Sequence, residues 1–515
     1  MPAFNVLRVV AATLLLPAVA WSANLPKDPL PPDFDRGVER MMQQWSIPGT
    51  AVAIVRAGRP DVVRSYGKRQ WNRNEPVDGR TLFGIASVTK TFIAGAFGLL
   101  VQEGKVQWDD PIVKYLPEFR LADPWISTQV TIRDLLSHRS GFASYGDFLE
   151  EIPNLSERNA TALLAHYPQA VPFRSRGDYN SLGFIVLSQV LEKVSGQPWE
   201  QFLHERLWQT LELRDTYARS DEFVPAANVL PTGDGWSEQP TGLDAVPASV
   251  NVAAPHVQWE AHFQGRFVYD AHELANRTVH FHRTAIDPSQ SAFTSVTDLA
   301  RWARVLMSPE DGSKSPLEAR TVEAMRELNA IRRPGWPMNW SKVRNDVRND
   351  LRTVGYGLGL EIYTYRGRTL VGHSGGELGY STLMLVDPYA GFGVVVMANN
   401  ATRTFGAMPS IMQTVLDWNY GERSIDWSAH YLERGAREHT ENLAELAQLN
   451  AARPTNSPPT LSPTAMVGEY LNPKFGTVRV FQRDGRLIAT TGPSYEIEFD
   501  HWAGDIYRGT VISPL

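Results

Sequence analysis

A serine and a lysine three residues apart are the pair in this sequence best suited to covalent catalysis. Ser87 and Lys90 lie in the motif Ser87-x-x-Lys90, at the start of an apolar segment, residues 87–102, that is typical of a buried helix. Positions i and i+3 share one face of a helix, so the hydroxyl and the amine can meet. Burial and the positive end of the helix dipole both lower a lysine pKa, which favours a neutral amine. The pair therefore predicts a serine nucleophile activated by a lysine base.

The same spacing occurs a second time, at Ser65 and Lys68. That copy falls at the end of a predicted strand and has Gly67 inside it. We interpret it as a chance match, because only a helix brings i and i+3 together on one face.

Two other segments could complete a site around the first pair. Tyr179 stands just before an apolar helix, where a phenol near a lysine could carry protons to a leaving group. Residues 372–376, GHSGG, end a predicted strand, and their small side chains would let a substrate backbone approach. The Gly376 N–H could donate to an oxyanion there. Taken alone, Tyr179 is more simply a packing residue and His373 a structural histidine.

The elements that must position these residues are strands at both ends of one region, with helices between them. This order predicts an α/β (α+β) fold, an antiparallel sheet flanked by helices with an inserted all-helical subdomain. The loops expected around the cleft lie in residues 225–288, which are rich in Gly, Pro, Asn and Trp. Predicted strands cover residues 50–55, 62–66, 356–364, 369–373, 380–386 and 392–398, and predicted helices cover 34–45, 87–102, 130–136, 180–194 and 295–306.

The C-terminal part of the chain has a different pattern. A helix near 442–449 and a Pro-rich stretch at 454–459 predict a helix and linker over residues 426–460. Residues 461–515 alternate as short strands around Asp484-Gly485, a strong hairpin signal, and predict a small all-β domain. Its strands are too few for a closed barrel, which leaves open that the domain is incomplete.

The N-terminus has the pattern of a secretory signal peptide. Residues 9–20 are apolar except for Thr13, and Arg8 is the sole charge among the first 26 residues. Such a run is shorter than the roughly 20 residues that span a bilayer. Ala18 and Ala20 form a small-x-small cleavage site, so residues 1–20 predict a signal peptide and an exported, periplasmic or secreted protein without stable membrane insertion. A buried N-terminal helix is the alternative, which Pro17 disfavours.

Composition excludes several other classes of protein. The chain has 515 residues, 43% hydrophobic and 21% charged, as in a soluble globular protein. Its net charge of −6 gives no basic excess for binding nucleic acid. The absence of cysteine excludes a cysteine nucleophile and thiolate metal sites. We expect no metal and no cofactor, and the oligomeric state stays open.

Taken together, the three motifs resemble the S-x-x-K, Y-x-N and K-T-G or H-x-G triplet of serine β-lactamases and penicillin-binding proteins. The resemblance covers residues 33–425 and is strongest to the class C β-lactamase-like branch, which includes D-aminopeptidases, D,D-peptidases and esterases. The tail from about residue 460 is similar to a lipocalin-like β domain found in some members. The matching residues are Ser87 and Lys90, then Tyr179 and Ser181, then His373, Ser374 and Gly375.

The resemblance implies a role for each of these residues. Ser87 would be the acylated nucleophile, and Lys90 and Tyr179 would share the acid–base work. The N–H groups of Ser87 and Gly376 would form the oxyanion hole. The residues implied to line the substrate and oxyanion side are Ser181, His373, Ser374, Gly375 and Gly376.

Two departures from the family pattern bear on the substrate. Ser181 stands where the family usually has Asn, and neighbouring Asn180 is expected to point elsewhere. His373 replaces the lysine of β-lactamases, and a histidine with an unperturbed pKa of about 6.5 is mostly neutral at pH 7. It would lack the fixed charge that holds a substrate carboxylate. Both changes favour a peptidase or esterase over an efficient β-lactamase. The expected substrates are small peptides with D-residues, from cell walls or linearised nonribosomal peptides, or esters.

Other interpretations stay open at this stage. A class C-like β-lactamase and a catalytically degenerate penicillin- or peptide-binding protein are the main alternatives, although retention of both Ser87 and Lys90 favours catalysis. Residues 372–376 also fit the G-x-S-x-G nucleophile elbow, with Ser374 as nucleophile and Asp387 and His430 as triad partners. That interpretation is disfavoured because a strand is predicted where the elbow needs a helix.

Two histidine patterns outside these motifs are assigned no chemistry. His272-Glu273 begins like a metalloprotease motif but lacks the second histidine, and His280 and His282 form an unassigned pair. His138 is expected to be structural, bonding the loop that follows its helix.

Overall fold

The computed structural model describes residues 26–142, 157–223, 249–256, 261–263, 266–268, 287–308, 314–331, 351–377, 379–400, 404–422, 425–472, 476–491 and 495–514. The signal peptide predicted at residues 1–20 and most of the loops predicted at 225–288 lie outside these residues. Both stay predictions. Within the described part of the chain, no helix is at once long enough and apolar enough to cross a bilayer.

The strands are numbered in chain order. They are β1 Gly49–Arg56, β2 Arg59–Gly67, β3 Leu82–Gly84, β4 Thr216–Tyr217, β5 Ala261–Phe263, β6 Arg266–Val268, β7 Phe293–Ser295, β8 Ala330–Ile331, β9 Arg352–Tyr356, β10 Glu361–Tyr365, β11 Arg368–Glu377, β12 Tyr380–Asp387, β13 Phe392–Ala398, β14 Gly468–Asn472, β15 Gly476–Arg483, β16 Arg486–Thr491, β17 Tyr495–Ala503 and β18 Ile506–Pro514.

The helices are numbered in the same way. They are α1 Phe34–Gln44, α2 Thr89–Gln102, α3 Pro124–Gln129, α4 Ile132–Leu136, α5 Glu157–Leu163, α6 Leu182–Ser195, α7 Trp199–Leu203, α8 Val296–Met307, α9 Ala319–Arg326, α10 Thr404–Tyr420 and α11 Trp427–Ala451.

The main sheet joins strands from the two ends of the catalytic region, as the sequence predicts. Within the described residues it has eight strands, in the order β2-β1-β13-β12-β11-β10-β9-β8. Neighbouring strands are antiparallel, and β1 pairs with β13 across more than 300 residues of intervening sequence. The helices between β3 and β8 form the inserted helical part of the α+β fold.

Both faces of this sheet are covered by helices, which explains why its strands are almost continuously apolar. Along β1, Ala51 and Ala53 contribute to the core that contains α2 and α8, whereas Val52 and Ile54 contribute to the core that contains α1 and α10. Successive side chains of a strand point to opposite faces, so each face contributes to a separate hydrophobic core.

Helix α2 occupies the centre of the first core and carries one of the candidate catalytic residues. Its residues from Thr89 to Leu100 are all buried, including the charged Lys90. The helix ends at Glu103, and Gly104 follows with φ +69°, the left-handed conformation that commonly ends a helix. A helix buried on every side cannot rotate or slide without opening the core, so its first turn is held rigidly.

The structure corrects one predicted strand next to the site. The sequence predicts a single strand over residues 356–364, but β9 ends at Tyr356 and β10 begins at Glu361. The turn between them contains Gly359 at φ +69°, and a Cβ at this position would lie 2.9 Å from the Lys90 carbonyl oxygen. The alternating apolar pattern continues through the turn because the turn itself is buried against α2, with its Leu358 fully buried.

Two helices near residue 420 also differ from the prediction. Helix α10 was not predicted, since Pro409 lies inside it and an internal proline argues against a helix. Helix α11, Trp427–Ala451, is far longer than the predicted 442–449, because its first half buries polar as well as apolar residues, among them Ser428 and Arg434, and so lacks a clear apolar periodicity.

The C-terminal strands form a separate antiparallel sheet with the order β14-β15-β16-β17-β18, five strands among the described residues. The predicted hairpin at Asp484 and Gly485 joins β15 to β16, and both residues have positive φ, as a tight hairpin turn requires. The linker after α11 is bonded to this sheet, since Gly504 N–H donates to the Ser457 carbonyl and Arg453 donates to the Trp502 carbonyl.

Candidate active site

Ser87 lies in a short 3₁₀ turn, Ala86–Val88, between β3 and α2. Its side chain is half-buried, whereas its neighbours Ala86 and Val88 are buried. Ala86 has φ +44°, a left-handed conformation that costs free energy for a residue with a Cβ. The Ile85 N–H donates to the Ala292 carbonyl at 3.0 Å, and the Val88 N–H donates back to the Ile85 carbonyl. These bonds hold the turn in the conformation that presents the Ser87 hydroxyl.

The predicted contact between the two residues of the first motif is present. Lys90 Nζ lies 3.1 Å from Ser87 Oγ and 3.0 Å from the Ser289 carbonyl oxygen. Its side chain is fully buried, with Nζ 4.9 Å from the centre of the Tyr179 ring. Desolvation penalises an ammonium relative to a neutral amine. The geometry therefore allows the hydroxyl proton of Ser87 to pass directly to Lys90.

The Ser289 carbonyl oxygen accepts a hydrogen bond from Lys90. The turn that contains Ser289 is held by an ion pair that was not predicted from the sequence. Ser289 ends the turn Asp287–Ser289, and Arg219 Nε donates to the buried Asp287 carboxylate at 2.6 Å. Arg219 also pairs with Glu200 at the start of α7. Because the ion pair connects residues 68 positions apart, no local pattern could have shown it.

His138 is the main support of Tyr179. The two rings lie face to face, tilted, with centroids 4.4 Å apart. The His138 carbonyl accepts from Asp178 N–H at 2.7 Å, and its Nδ1 accepts from Asn180 N–H at 3.3 Å. His138 thus bonds the residues on both sides of Tyr179 and packs on its ring. It is structural, as predicted, but what it positions is a candidate catalytic residue.

The loops that carry His138 and Tyr179 are fastened to α4 by a buried carboxylate. Asp134 is inaccessible to solvent and accepts from Arg139 Nε at 2.6 Å and from Arg174 Nη2 at 2.7 Å. It also completes a capping box with Thr131 at the start of α4. A buried carboxylate that loses one of two arginine partners is costly, so this network holds both loops in place.

The second motif departs from the family as the sequence indicates. Ser181 is buried, and within the described residues its hydroxyl makes no hydrogen bond to Ser87 or Lys90. Asn180 does not replace the missing asparagine, because its Oδ1 accepts from Gly183 N–H and its Nδ2 donates to the Asp178 carbonyl. Its amide is therefore used to begin α6.

Strand β11 brings the third motif, residues 373–375, against the turn Ala86–Val88, which carries Ser87 and is called the nucleophile turn below. A Cβ on Gly375 would lie 2.1 Å from the Ile85 carbonyl oxygen, so only glycine fits where the strand and the turn meet. Strand β10 pairs with β11 from Arg368 as far as Gly372, and residues 373–377 pair with β12. Gly376 is exposed at this end of the strand. The arrangement places the end of β11, the predicted substrate edge at residues 372–376, beside Ser87.

His373 is fully buried rather than open to the cleft. Its Nδ1 lies 2.5 Å from the Ser374 carbonyl oxygen and its Nε2 lies 2.5 Å from the Tyr356 hydroxyl. A carbonyl oxygen accepts, so Nδ1 carries a proton. The ring is also 6.2 Å from that of Tyr179, measured between centroids. His373 therefore stands behind the cleft and is bonded through both nitrogens.

Tyr356 is a residue of this site that sequence reasoning missed. Besides its bond to His373, its ring packs edge-on against His138 at 4.5 Å and lies 6.1 Å from Tyr179. It links the second motif to the third. The one available signal was the pair of glycines after it, Gly357 and Gly359, which mark a turn inside the predicted strand.

The structure does not support the nucleophile-elbow interpretation. Ser374 lies inside β11 and is followed by β12, not by a helix. Asp387 is occupied in the β12–β13 turn, where Oδ1 accepts from the N–H groups of Tyr389 and Ala390. His430 lies on α11 and packs against Trp427. His272 of the metalloprotease-like pattern and the unassigned pair His280 and His282 lie outside the described residues.

Comparisons with known proteins show the family of this chain. The family model described as beta-lactamase matches residues 34–410. The unguisins hydrolase ungD of Aspergillus violaceofuscus is 26% identical over 504 residues, which cover 94% of this chain and 83% of the relative.

Two solved structures share the fold. The D-amino acid amidase from Ochrobactrum anthropi SV3, complexed with L-phenylalanine amide, has a TM-score of 0.56 and 21% identity, covering 76% of this chain and 100% of its own. The octameric penicillin-binding protein homologue from Pyrococcus abyssi has a TM-score of 0.57 and 19% identity, covering 93% of this chain and 94% of its own. Because the family model matches most of the sequence, this chain belongs to the beta-lactamase family and is a serine hydrolase.

Proposed function

We propose that this serine hydrolase works through an acyl-enzyme formed on Ser87. The observation that carries the proposal is the 3.1 Å contact between Lys90 Nζ and Ser87 Oγ in a buried first turn of α2. In the reaction, Ser87 Oγ attacks the substrate carbonyl carbon while its proton passes to Lys90. The N–H groups of Ser87 and Gly376 donate to the oxyanion.

Tyr179 completes the proton transfer to the leaving group. Its ring lies over Lys90 Nζ, and His138 fixes its orientation. The proton taken from Ser87 reaches the leaving nitrogen or oxygen as its bond to carbon breaks, which yields an amine or an alcohol and the Ser87 ester. Water then attacks this ester and gives a proton to the Lys90–Tyr179 pair, which passes a proton to Ser87 Oγ as the ester bond breaks and a carboxylic acid is released. One water is consumed per bond cleaved, and Ser87 is regenerated.

We propose small peptides with D-residues as the substrates, with esters as a side activity and little or no turnover of β-lactams. His373 supports this choice, because it replaces a lysine whose charge would hold a carboxylate and both of its nitrogens are already bonded. The similarity to a protein named D-amino acid amidase and to one named unguisins hydrolase points towards amide bonds in peptides.

Intact-protein mass spectrometry after reaction with a fluorophosphonate tests the nucleophile. We expect a single adduct in the wild type and in Ser374→Ala, and none in Ser87→Ala. The same experiment with a penicillin should show slow or absent labelling. Turnover of D-peptide and L-peptide ester libraries by the unlabelled wild type then identifies the stereochemical preference.

Each alternative gives a different result. An adduct that persists in Ser87→Ala and maps to Ser374 would overturn the site assignment. Fast turnover of penicillin would establish a class C-like β-lactamase instead. No adduct at all in correctly folded protein would favour a binding protein without catalysis.

A further inference from the structure

A buried carboxylate next to the third motif has no part in the proposed mechanism. Glu361 is the first residue of β10 and is inaccessible to solvent. Its Oε2 accepts from the Tyr363 hydroxyl at 2.5 Å, from the Ser374 N–H at 2.9 Å and from the Ser374 hydroxyl at 2.9 Å. The carboxylate is thus bonded twice to a residue of the predicted substrate edge.

The position of Glu361 follows from the end of β10. In the register of the sheet, Glu361 is opposite Gly372, the last residue of β11 that pairs with β10. Ser374 lies two positions further along β11, beyond the backbone of β10. The Glu361 side chain extends past the end of its strand and supplies the acceptor that a further β10 carbonyl would have supplied.

These bonds determine what Ser374 can offer to a substrate. A hydroxyl has one proton, and here that proton is donated to Glu361. Any other partner of Ser374 Oγ must therefore be a donor. Ser374 is half-buried and belongs to residues 373–377 of β11, the part of the strand that β10 leaves unpaired. The hydroxyl is thus an acceptor at the edge of the site.

His373 does not restore the missing donor. Its Nδ1 proton is directed to the Ser374 carbonyl, and its Nε2 is engaged by Tyr356. The side chains of His373 and Ser374 therefore present no proton to a carboxylate, and the Glu361 carboxylate lies one hydrogen bond behind Ser374. A negatively charged substrate group would be disfavoured because it would meet acceptors and no matching donor.

We infer that Glu361, acting through Ser374, restricts the enzyme to substrates whose group at this strand edge is a hydrogen-bond donor. Such a group is a carboxamide, the N–H of a continuing peptide chain or an ammonium, and not a free carboxylate. The preferred substrates are therefore peptide amides and internal peptide bonds, as opposed to the carboxy-terminal bond of a free acid. This inference rests on the proposed function at Ser87 and specifies its substrate class.

The test is a pair of D-peptides that differ only in the terminal group, carboxamide or free carboxylate, after the scissile bond. In the wild type we expect kcat/KM to favour the carboxamide by about tenfold or more. In Glu361→Gln, which keeps the shape but replaces one carboxyl oxygen by an N–H donor, Ser374 is no longer held as an acceptor, and we expect this ratio to fall towards one. Equal use of both substrates by the wild type, or preference for the acid, would overturn the inference.

A matched control separates a change in substrate specificity from a general disturbance of the hydrogen bonds around Glu361. Tyr363→Phe removes the third bond to the same Glu361 oxygen and leaves the Ser374 link intact. It should leave the amide-to-acid ratio unchanged. A shift of this ratio in Tyr363→Phe equal to that in Glu361→Gln would contradict the role of Ser374.

A second variant keeps the inference testable if Glu361→Gln does not fold. Ser374→Ala removes the hydroxyl but retains the N–H bond to Glu361, and it should also lower the ratio, mainly through a higher KM for the amide. Fluorophosphonate labelling of Ser87 in each variant distinguishes a failure of the proposed function from a failure of the substrate preference inferred here. Unlabelled, folded wild type would defeat the proposed function, whereas labelled enzyme that prefers free acids would defeat only this inference.

Discussion

The region around Ser87 and the C-terminal sheet differ most in how their residues are buried. Helix α2 is buried along its whole length from Thr89 to Leu100. In the C-terminal sheet, large apolar residues remain accessible, with Leu471 exposed by 81% and Ile506 by 64%. Among the described residues of β14–β18, the buried apolar ones are Leu487, Ile488, Ala489 and Ala503.

The interactions that hold the two regions differ accordingly. In the catalytic region, buried polar groups such as Asp134 and His373 make bonds to several elements at once. In the C-terminal sheet, cross-strand pairs such as Arg483 with Glu496 lie on the surface. Exposed ion pairs contribute little to stability, whereas buried groups are costly to disturb. We therefore expect the catalytic region to be sensitive to small changes and the C-terminal sheet to tolerate them.

The largest effect should come from Lys90→Met. This variant keeps an apolar stem in α2 but removes the base, so kcat/KM should fall by about 1,000-fold. The control is Lys68→Met at the second copy of the motif, which lies at the end of β2 on an exposed residue and should keep wild-type activity. Steady-state rates on a D-peptide or ester measure both. Activity of Lys90→Met within tenfold of the wild type would refute its role as base.

Gly375→Ala should have the next largest effect. The added methyl group would meet the Ile85 carbonyl oxygen at 2.1 Å, which forces β11 away from the nucleophile turn. We expect kcat/KM to fall by about 100-fold, since misplacement by 1 Å has costs of this order, together with a lower Tm.

The matched control for Gly375→Ala lies outside the catalytic core. A Cβ on Gly435, in α11, meets nothing within 4 Å. Gly435→Ala should raise stability by about 0.5–1 kcal/mol, because alanine is the better helix former, and leave activity unchanged. Equal effects of the two substitutions would show that the contact between β11 and the turn is not constrained.

Acid should destabilise the core through His256. Burial lowers the pKa of this histidine to about 4. Hydrogen bonds to the backbone raise the pKa, but their effect is smaller than that of burial. Nδ1 donates to the Asn399 carbonyl and Nε2 accepts from Trp71 N–H, so the folded form holds a neutral ring. The unfolded chain takes up a proton near pH 6.5 and the folded chain near pH 4, so stability is lost as the pH falls between these values.

This loss should reach about 2 kcal/mol at pH 5. Urea unfolding of the wild type and His256→Gln at pH 7.5 and pH 5 measures it, because the variant lacks the titrating group. The stability difference between wild type and variant should shrink at pH 5. A difference that is the same at both values would show that His256 does not titrate in this window.

The smallest effect is expected in the C-terminal sheet. Arg486 donates to both oxygens of Glu498 across β16 and β17, but its side chain is largely exposed. Arg486→Ala should leave the kcat/KM unchanged and lower Tm only slightly, since water replaces the lost bonds. A clear loss of activity in this variant would mean that the C-terminal sheet takes part in the site, and would break the contrast between the two regions.

Patterns of a few residues were enough to predict much of the site. The contact of Ser87 with Lys90 was expected because the geometry of one helical turn decides it. The hairpin at Asp484-Gly485 and the end of the helix predicted over residues 87–102 were predicted correctly for the same reason, since local backbone preferences specify them. The family motifs then identified His373, which no local rule distinguishes from a structural histidine.

Other features of the site depend on residues that are distant in the sequence. The turn at residues 357–360 looks like the middle of a strand because burial against α2 gives it an apolar pattern. Tyr356 reaches His373, and Glu361 reaches Ser374, only because β10 and β11 pair in one particular register.

The sequence by itself thus determined the contact of Ser87 with Lys90, the hairpin turn at Asp484-Gly485, the end of α2 and the family. The tertiary structure decided which residues support that pair: His138 under Tyr179, the Ser289 carbonyl at Lys90, and the Glu361 carboxylate behind Ser374. The physical reason is the range of the forces involved. Helical periodicity and turn preferences act within a few residues, whereas a hydrogen bond between buried side chains exists only after packing and strand register have brought its two groups together.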